Sequence, residues 1–325
     1  MKKPTRSAKR SAFQRWLMTM LFLVVAALVI SACGQASNGK QDSAADSKLK
    51  VTATTGMIAD VVREVGGEHV DVTGLMGPGT DPHLYKASQG DIRRLDDAEI
   101  VFYNGLHLEG TMAEMMEKLS DRKPTVAVAE AIPEDRLITA DQQGNAALDP
   151  HVWFDVEHWI IVAEVVRDTL IEHDEANSAD YEAQAAAYIG ELQELDQYAT
   201  ERMAEIPEAG RVLVTAHDAF GYFGKAYGIE VMGLQGISTA SEYGSRDVSA
   251  LRDFLVENEI KAVFIESSVP KRSIEAVIEG ASKLGHEVAI GGELFSDAMG
   301  EEGTPEGTYI GMVRHNVDTI ANALK

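Results

Sequence analysis

The chain has 325 residues, 45% of them hydrophobic, with 29 Lys+Arg against 52 Asp+Glu and a formal charge of −23. That length implies about two domains with a sizeable core, and the acidic balance argues against nucleic acid as a partner, because phosphate binding needs a basic surface. A single cysteine, Cys33, excludes an intramolecular disulfide, a thiolate metal cluster and a CxxC redox pair.

Residues 1–32 hold six basic residues and no acid, and 16–30 is a run of fifteen in which only Thr19 is polar. A basic stretch followed by an apolar one of that length is a secretory-signal pattern; a permanent span needs about 20 apolar residues. The segment closes on Ile30-Ser31-Ala32-Cys33, which resembles a bacterial lipobox and implies acylation of Cys33. Without this leader, residues 33–325 carry 23 Lys+Arg against 52 acids, a charge of −29. Residues 34–47 are rich in Gly, Ser, Asn, Gln and Ala and lack aromatics, a composition that cannot bury a core. The expectation is a signal over 1–32, a flexible tether over 33–47 and a remainder outside the membrane, held to it by lipid.

Residues 49–54 alternate as a strand, and 57–62 have helical spacing up to Gly66-Gly67. Strands follow at 70–75, 100–103 and 125–128, and Ser88 with Asp91 forms a capping box for a helix to Ala98. Strands alternating with helices imply parallel βαβ units. The pattern then breaks. Asp155 reads as the N-cap of a helix to about His173, and Asn177 or Ser178 as the cap of another over 179–206. The second would span on the order of 40 Å. Tyr181, Ala185, Tyr188, Leu192, Leu195 and Tyr198 fall on one of its faces, and its place near mid-chain suggests a rigid connector. After Pro207 the alternation resumes, with strands at 211–216, 229–234, 262–266 and 286–290 and helices at 220–227, 248–259, 273–284 and 308–324. The expected division is an α/β lobe over 48–178, a linking helix over 179–206 and a second α/β lobe over 207–325.

The tripeptide Asp-Pro-His occurs twice, at 81–83 and 149–151, each time after a polar loop containing glycine. Proline fixes φ and helps to hold the next side chain in one direction. His83 and His151 so presented could share one metal ion through neutral imidazole nitrogens, with Asp81 and Asp149 accepting the second ring N–H and fixing the tautomer. In the second half, a strand ends directly at His217, where open α/β sheets bind ligands. The strand at 286–290 leads into a loop carrying Asp297. Three imidazoles and one carboxylate suit Zn²⁺ or Mn²⁺, without the soft sulfur that copper(I) favours.

Seven motifs carry a wider resemblance: Asp-Pro-His-Leu-Tyr (81–85), Tyr-Asn-Gly-Leu-His-Leu-Glu (103–109), Asp-Pro-His-Val-Trp-Phe-Asp (149–155) and Thr-Ala-His-Asp-Ala-Phe-Gly-Tyr-Phe (215–223), with Phe-Ile-Glu-Ser-Ser (264–268), Gly-Gly-Glu-Leu-Phe-Ser-Asp-Ala-Met-Gly (291–300) and Gly-Thr-Tyr-Ile-Gly-Met-Val (307–313). The sequence after the leader resembles the zinc/manganese-binding lipoproteins of bacterial ABC importers over essentially its whole length. The resemblance implies two α/β lobes with parallel sheets bridged by a long rigid helix and a metal ion in the cleft between them. It assigns ligation to His83, His151, His217 and Asp297. It also implies a monomer on the outer face of the membrane that delivers the ion to an ABC permease driven by a cytoplasmic ATPase.

Two departures bear on the metal. Manganese-dedicated relatives often carry Glu at the position of His217, and zinc-dedicated ones often carry a His-rich loop before the second histidine motif, whereas 132–149 contains no histidine. Zinc against manganese therefore stays open, although Zn²⁺ is expected to bind more tightly in vitro by the Irving–Williams order. His107, on the loop after the third strand, is a further candidate to support a ligand. The rival class is a secreted zinc hydrolase using His83, His151 and Asp297 with water in the fourth position. A catalytic zinc needs an open site, so a fourth ligand at His217 favours capture over catalysis. A surface adhesin would fit the lipid anchor but accounts for none of the motifs.

Overall fold

The computed structural model describes residues 48–325 apart from 143 and 144; Cys33, the leader over 1–32 and the tether over 33–47 lie outside the described residues. Four strands, β1 (Leu49–Ala53), β2 (Val70–Gly74), β3 (Ile100–Tyr103) and β4 (Thr125–Ala127), form a parallel sheet in the order β2-β1-β3-β4. Val51, Ala53, Ile100, Val101 and Phe102 are all buried, as expected of parallel strands covered on both faces. The covering helices are α1 (Gly56–Gly66), α2 (Gln89–Asp97) and α3 (Ala113–Ser120). Thr55 caps α1 by accepting from the Ile58 N–H, and Ser88 and Asp91 close the expected capping box on α2.

A departure follows. Residues read from sequence as loop form an antiparallel hairpin, β5 (Thr139–Gln142) with β6 (Asn145–Leu148). Its Ala, Asp, Gln and Asn residues have little strand propensity, so composition gives no signal for it.

Helix α4 (Val156–His173) starts at Asp155, which accepts from the N–H groups of Glu157 and His158. The long helix α5 (Ser178–Ala204) buries Tyr181, Ala185, Tyr188, Leu192, Leu195, Ala199 and Met203, a stripe in steps of three and four residues. Tyr198, placed by sequence on that stripe, sits at its edge and donates through its hydroxyl to Asp318 at 2.7 Å.

The second lobe contains β7 (Val212–His217), α6 (Gly221–Tyr227), β8 (Glu230–Gln235), α7 (Ser245–Glu257), β9 (Ala262–Glu266), α8 (Arg272–Lys283), β10 (Ala289–Leu294) and α9 (Tyr309–Leu324). Strands β7 and β8 pair in parallel, as do β9 and β10, and β7 lies beside β9. The β10 boundary corrects the expected 286–290. The strand runs on through Gly291 and Gly292 because α9 packs directly on them, where an added Cβ at Gly292 would meet Thr319 Cγ2 at 2.4 Å. The register with β9 shifts at this point.

Helix α5 packs against α1 and α4 and also against α9. One apolar core accordingly runs from Val51 and Phe102 through Trp159 and Tyr188 to Phe264, Leu294 and Tyr309, spanning both lobes. No helix among the described residues is long and apolar enough to cross a membrane.

Candidate metal centre

The four polar side chains singled out from sequence arrive from four different connections. His83 lies on the segment after β2 and His151 on the turn after β6, while His217 is the last residue of β7 and Asp297 follows β10. All four are at most 4% exposed. One ligand atom from each lies within 4.8 Å of every other.

The two Asp-Pro-His tripeptides are used differently. Asp149 Oδ1 accepts from the backbone N–H of His151 at 2.9 Å and from its ring Nδ1 at 2.7 Å. This fixes the ring with its Nε2 turned inward. Asp81 Oδ1 also accepts from the backbone N–H of its own histidine, His83, at 2.9 Å. Its other oxygen, however, accepts from the Thr239 hydroxyl at 2.6 Å rather than from the His83 ring. The expectation that Asp81 sets the His83 tautomer is corrected: its second oxygen is turned towards the other lobe.

The equivalent of Asp149 in the second lobe is Glu266, which sequence reasoning did not single out. Its carboxylate accepts from the His217 N–H at 2.8 Å and from the His217 ring Nδ1. The available signal was a single acid ending an otherwise apolar strand, Ala262-Val-Phe-Ile-Glu266, at the carboxyl edge of a parallel sheet.

Asp297 is held from the chain beside it. The Trp153 indole N–H donates to the Ser296 carbonyl at 3.0 Å, and the Trp153 ring meets His151 edge-on at 5.2 Å. Asn316 brackets the backbone of Phe295 with bonds of 2.9 and 2.7 Å.

His107, in contrast, is exposed and stands apart from the four. Gly105, Leu106 and His107 all adopt positive φ (83°, 50° and 66°). The chain there wraps around the buried Glu109 carboxylate, which accepts from the N–H groups of Asn104 and Gly105 at 2.8 and 3.2 Å. The turn leaves His107 outside, lining a separate cavity with Tyr103 and Glu130.

At the centre, His83 Nε2 and His151 Nε2 are 3.2 Å apart. Asp297 Oδ1 is 3.4 Å from His151 Nε2, and Oδ2 is 3.3 Å from His217 Nε2 and 4.0 Å from His83 Nε2. His217 Nε2 and both Asp297 oxygens are buried without a hydrogen-bond partner. Buried polar atoms are rarely left so. Donors on a four-coordinate ion with bonds of about 2.0–2.1 Å lie roughly 3.3 Å apart, so the three short separations fit such an ion.

The electrostatics divide the histidines. Burial depresses His83 to about 3, against the opposing pull of Asp297. Burial disfavours charge on His151 as well, but Asp149 and Asp297 outweigh it and raise that ring to about 9. His217 is raised well above its ordinary value because Glu266 and Asp297 overcome the same burial. Asp297, although buried, is held far below the usual carboxylate range by His217, His151 and His83. The cluster attracts positive charge to its centre, whether protons or a cation.

Residues 51–323 match the family described as ZnuA, zinc-uptake complex component A, periplasmic. The chain belongs to this family. Manganese-binding lipoprotein MntA of Bacillus subtilis (strain 168) is 52% identical over 306 residues, covering 94% of this chain and 98% of that protein. Zinc-binding protein TroA of Treponema pallidum (strain Nichols) is 48% identical over 286 residues, covering 88% and 92%. The solved structure of the periplasmic zinc-binding protein TroA from Treponema pallidum superposes with a TM-score of 0.83 at 47% identity, covering 86% of this chain and 99% of that one. The ZnuA-family fold is thus the two-lobed α/β arrangement described above, with α5 running between the lobes.

Proposed function

We propose that His83, His151, His217 and Asp297 bind one divalent ion, Zn²⁺ or Mn²⁺, as cargo, and that the protein delivers it to an ABC permease for uptake. What supports this reading is the convergence of three imidazole nitrogens and a carboxylate on one buried point, with His217 Nε2 and both Asp297 oxygens lacking any other partner. Relatives at 52% and 48% identity bear manganese and zinc in their names, and the donor set suits either ion. Four protein donors also leave no open position for a substrate water, which favours capture over hydrolysis.

The same reading takes the protein as a monomer anchored outside the membrane through lipid on Cys33, with lobes over 48–178 and 207–325 and the linking helix between them. The experiment is metal analysis with competitive Zn²⁺/Mn²⁺ titration of the purified protein and of His217→Ala. One ion per chain, with affinity lowered at least a hundredfold in the variant, is expected. A ratio far from one, or unchanged affinity, overturns the four-donor site, and zinc-dependent hydrolytic turnover favours the enzyme.

A further inference from the structure

His83 is the least supported of the four. The His151 and His217 rings are each gripped by a buried carboxylate at Nδ1, whereas the His83 ring hydrogen-bonds no carboxylate. It is carried by the segment between β2 and α2, which borders a cavity of about 180 Å³ lined by Gly77, Pro78, Thr80, Met299 and Asp297. The cavity therefore lies between the His83 segment and the loop that carries Asp297.

What ties that segment to the second lobe is Asp81, with one oxygen on the His83 backbone and the other on Thr239. Thr239 is itself held in place. Gln235, the last residue of β8, donates through Nε2 to the carbonyls of Thr239 and Ser241 at 2.6 and 2.5 Å. Ile237 is buried below, and the Ser241 N–H closes a turn on the Ser238 carbonyl at 3.0 Å. Gln235 is also the register partner of His217 on β7, and its carbonyl accepts from the Asp218 N–H at 3.0 Å. A continuous chain of contacts therefore runs His83–Asp81–Thr239–Gln235–His217, joining a metal-site histidine of one lobe to one of the other.

Other ties between the lobes lie away from that segment. Trp153 to Ser296, Tyr309 to Trp153 and to Asp60, and Tyr222 to Asp149 are buried bonds, Tyr222 to the Ile138 N–H is half-buried, and Lys225 to the Arg136 carbonyl is exposed. The Asp81–Thr239 bond is half-buried, at the segment that bears the least supported histidine.

We propose that the Asp81–Thr239 hydrogen bond is an inter-lobe latch, with Thr239 a positioning residue that holds the His83 segment over the ion and sets the rate at which the ion leaves. The inference rests on the metal-capture reading above. A hydroxyl-to-carboxylate bond of this kind is charge-assisted and roughly twice as strong as a neutral one. Losing it frees His83 to withdraw while the other three donors stay in place.

The test compares wild type, Thr239→Val and Thr239→Ser, each loaded with Zn²⁺ or with Mn²⁺ and chased with excess chelator in stopped flow. Ion stoichiometry and metal-free thermal unfolding are measured alongside. Thr239→Val is expected to release the ion about tenfold faster, equivalent to about 1.4 kcal/mol, with one ion per chain and unchanged metal-free unfolding. Thr239→Ser, which keeps the hydroxyl, is expected to match wild type. Wild-type release from Thr239→Val, or release from Thr239→Ser as fast as from Thr239→Val, overturns the latch and leaves capture standing. Failure of wild type to bind either ion overturns the capture reading, and the latch with it.

Discussion

Glu266 stands to His217 as Asp149 stands to His151. In each pair a buried carboxylate accepts both the backbone N–H and the ring Nδ1–H of the histidine, although the two carboxylates come from different lobes and different local sequence. Such partners orient an imidazole and raise its basicity, and their loss typically costs 10–100-fold in metal affinity. Glu266→Gln and Asp149→Asn are each expected to weaken ion binding by about that factor while keeping one ion per chain. Competitive titration against a chelator of known affinity checks this, and affinities within twofold of wild type would remove the supporting role.

Ion uptake should expel protons. In the ion-free protein His151 is held protonated up to about pH 9 and His217 is likewise raised well above its ordinary value by Glu266 and Asp297, whereas His83, at about 3, is already neutral. An ion must displace the protons of His151 and His217, so affinity rises with pH up to about 9, and falls steeply as pH drops from there. Near pH 7 about two protons are expected per ion bound. Calorimetry in buffers of different ionisation enthalpy measures the number directly; an enthalpy independent of buffer contradicts it.

Asp60, away from the metal centre, sets a separate pH dependence. Burial raises it from 3.8 to about 6, although it accepts from the Tyr309 N–H. The folded state thus binds its proton more tightly than the unfolded chain, so this group's contribution is full below about pH 4 and is lost as pH rises through about 6. Asp60→Asn keeps an acceptor for the Tyr309 N–H and removes the buried charge. It is expected to be more stable than wild type at pH 7.5 by up to about 3 kcal/mol, the gap closing below pH 4. Denaturant unfolding of the ion-free protein at the two pH values decides it.

Two glycines should respond in opposite directions. A Cβ at Gly233 would lie 2.5 Å from the Asp218 backbone nitrogen and 2.8 Å from the His217 carbonyl carbon, so Gly233→Ala must displace the strand end that carries His217. A destabilisation of about 1–3 kcal/mol is expected, together with weaker ion binding. Gly190, inside α5, has nothing within 4 Å of the same position. Gly190→Ala is expected to stabilise by up to about 1 kcal/mol and to leave ion binding unchanged. Thermal unfolding with titration of each variant checks both signs.

Local signals were readable because their physics is local. The Asp155 cap, the Ser88–Asp91 box and the three-four stripe of α5 each depend on residues a few positions apart. The strand-end position of His217 follows from the same kind of reading. What could not be read depends on which strands and loops become neighbours. Glu266 reaches His217 only because β9 lies beside β7, across 49 residues of sequence. Asp81 and Asp149 sit in identical tripeptides, and their different uses follow from Thr239, 158 residues from Asp81. The β5–β6 hairpin and the glycine end of β10 were missed because their residues lack strand propensity and are specified by packing partners instead.

The core shared by the two lobes also constrains how the molecule comes into being. Asp60 on α1 receives the N–H of Tyr309, 249 residues further on, and the α5 stripe is covered by α1 and α4 as well as by α9. Until α9 is available, the aromatic residues it covers have no partner, and closing such a long loop is slow. Neither half should therefore persist as a soluble fragment, and the fold completes only once both ends of residues 48–325 are present together.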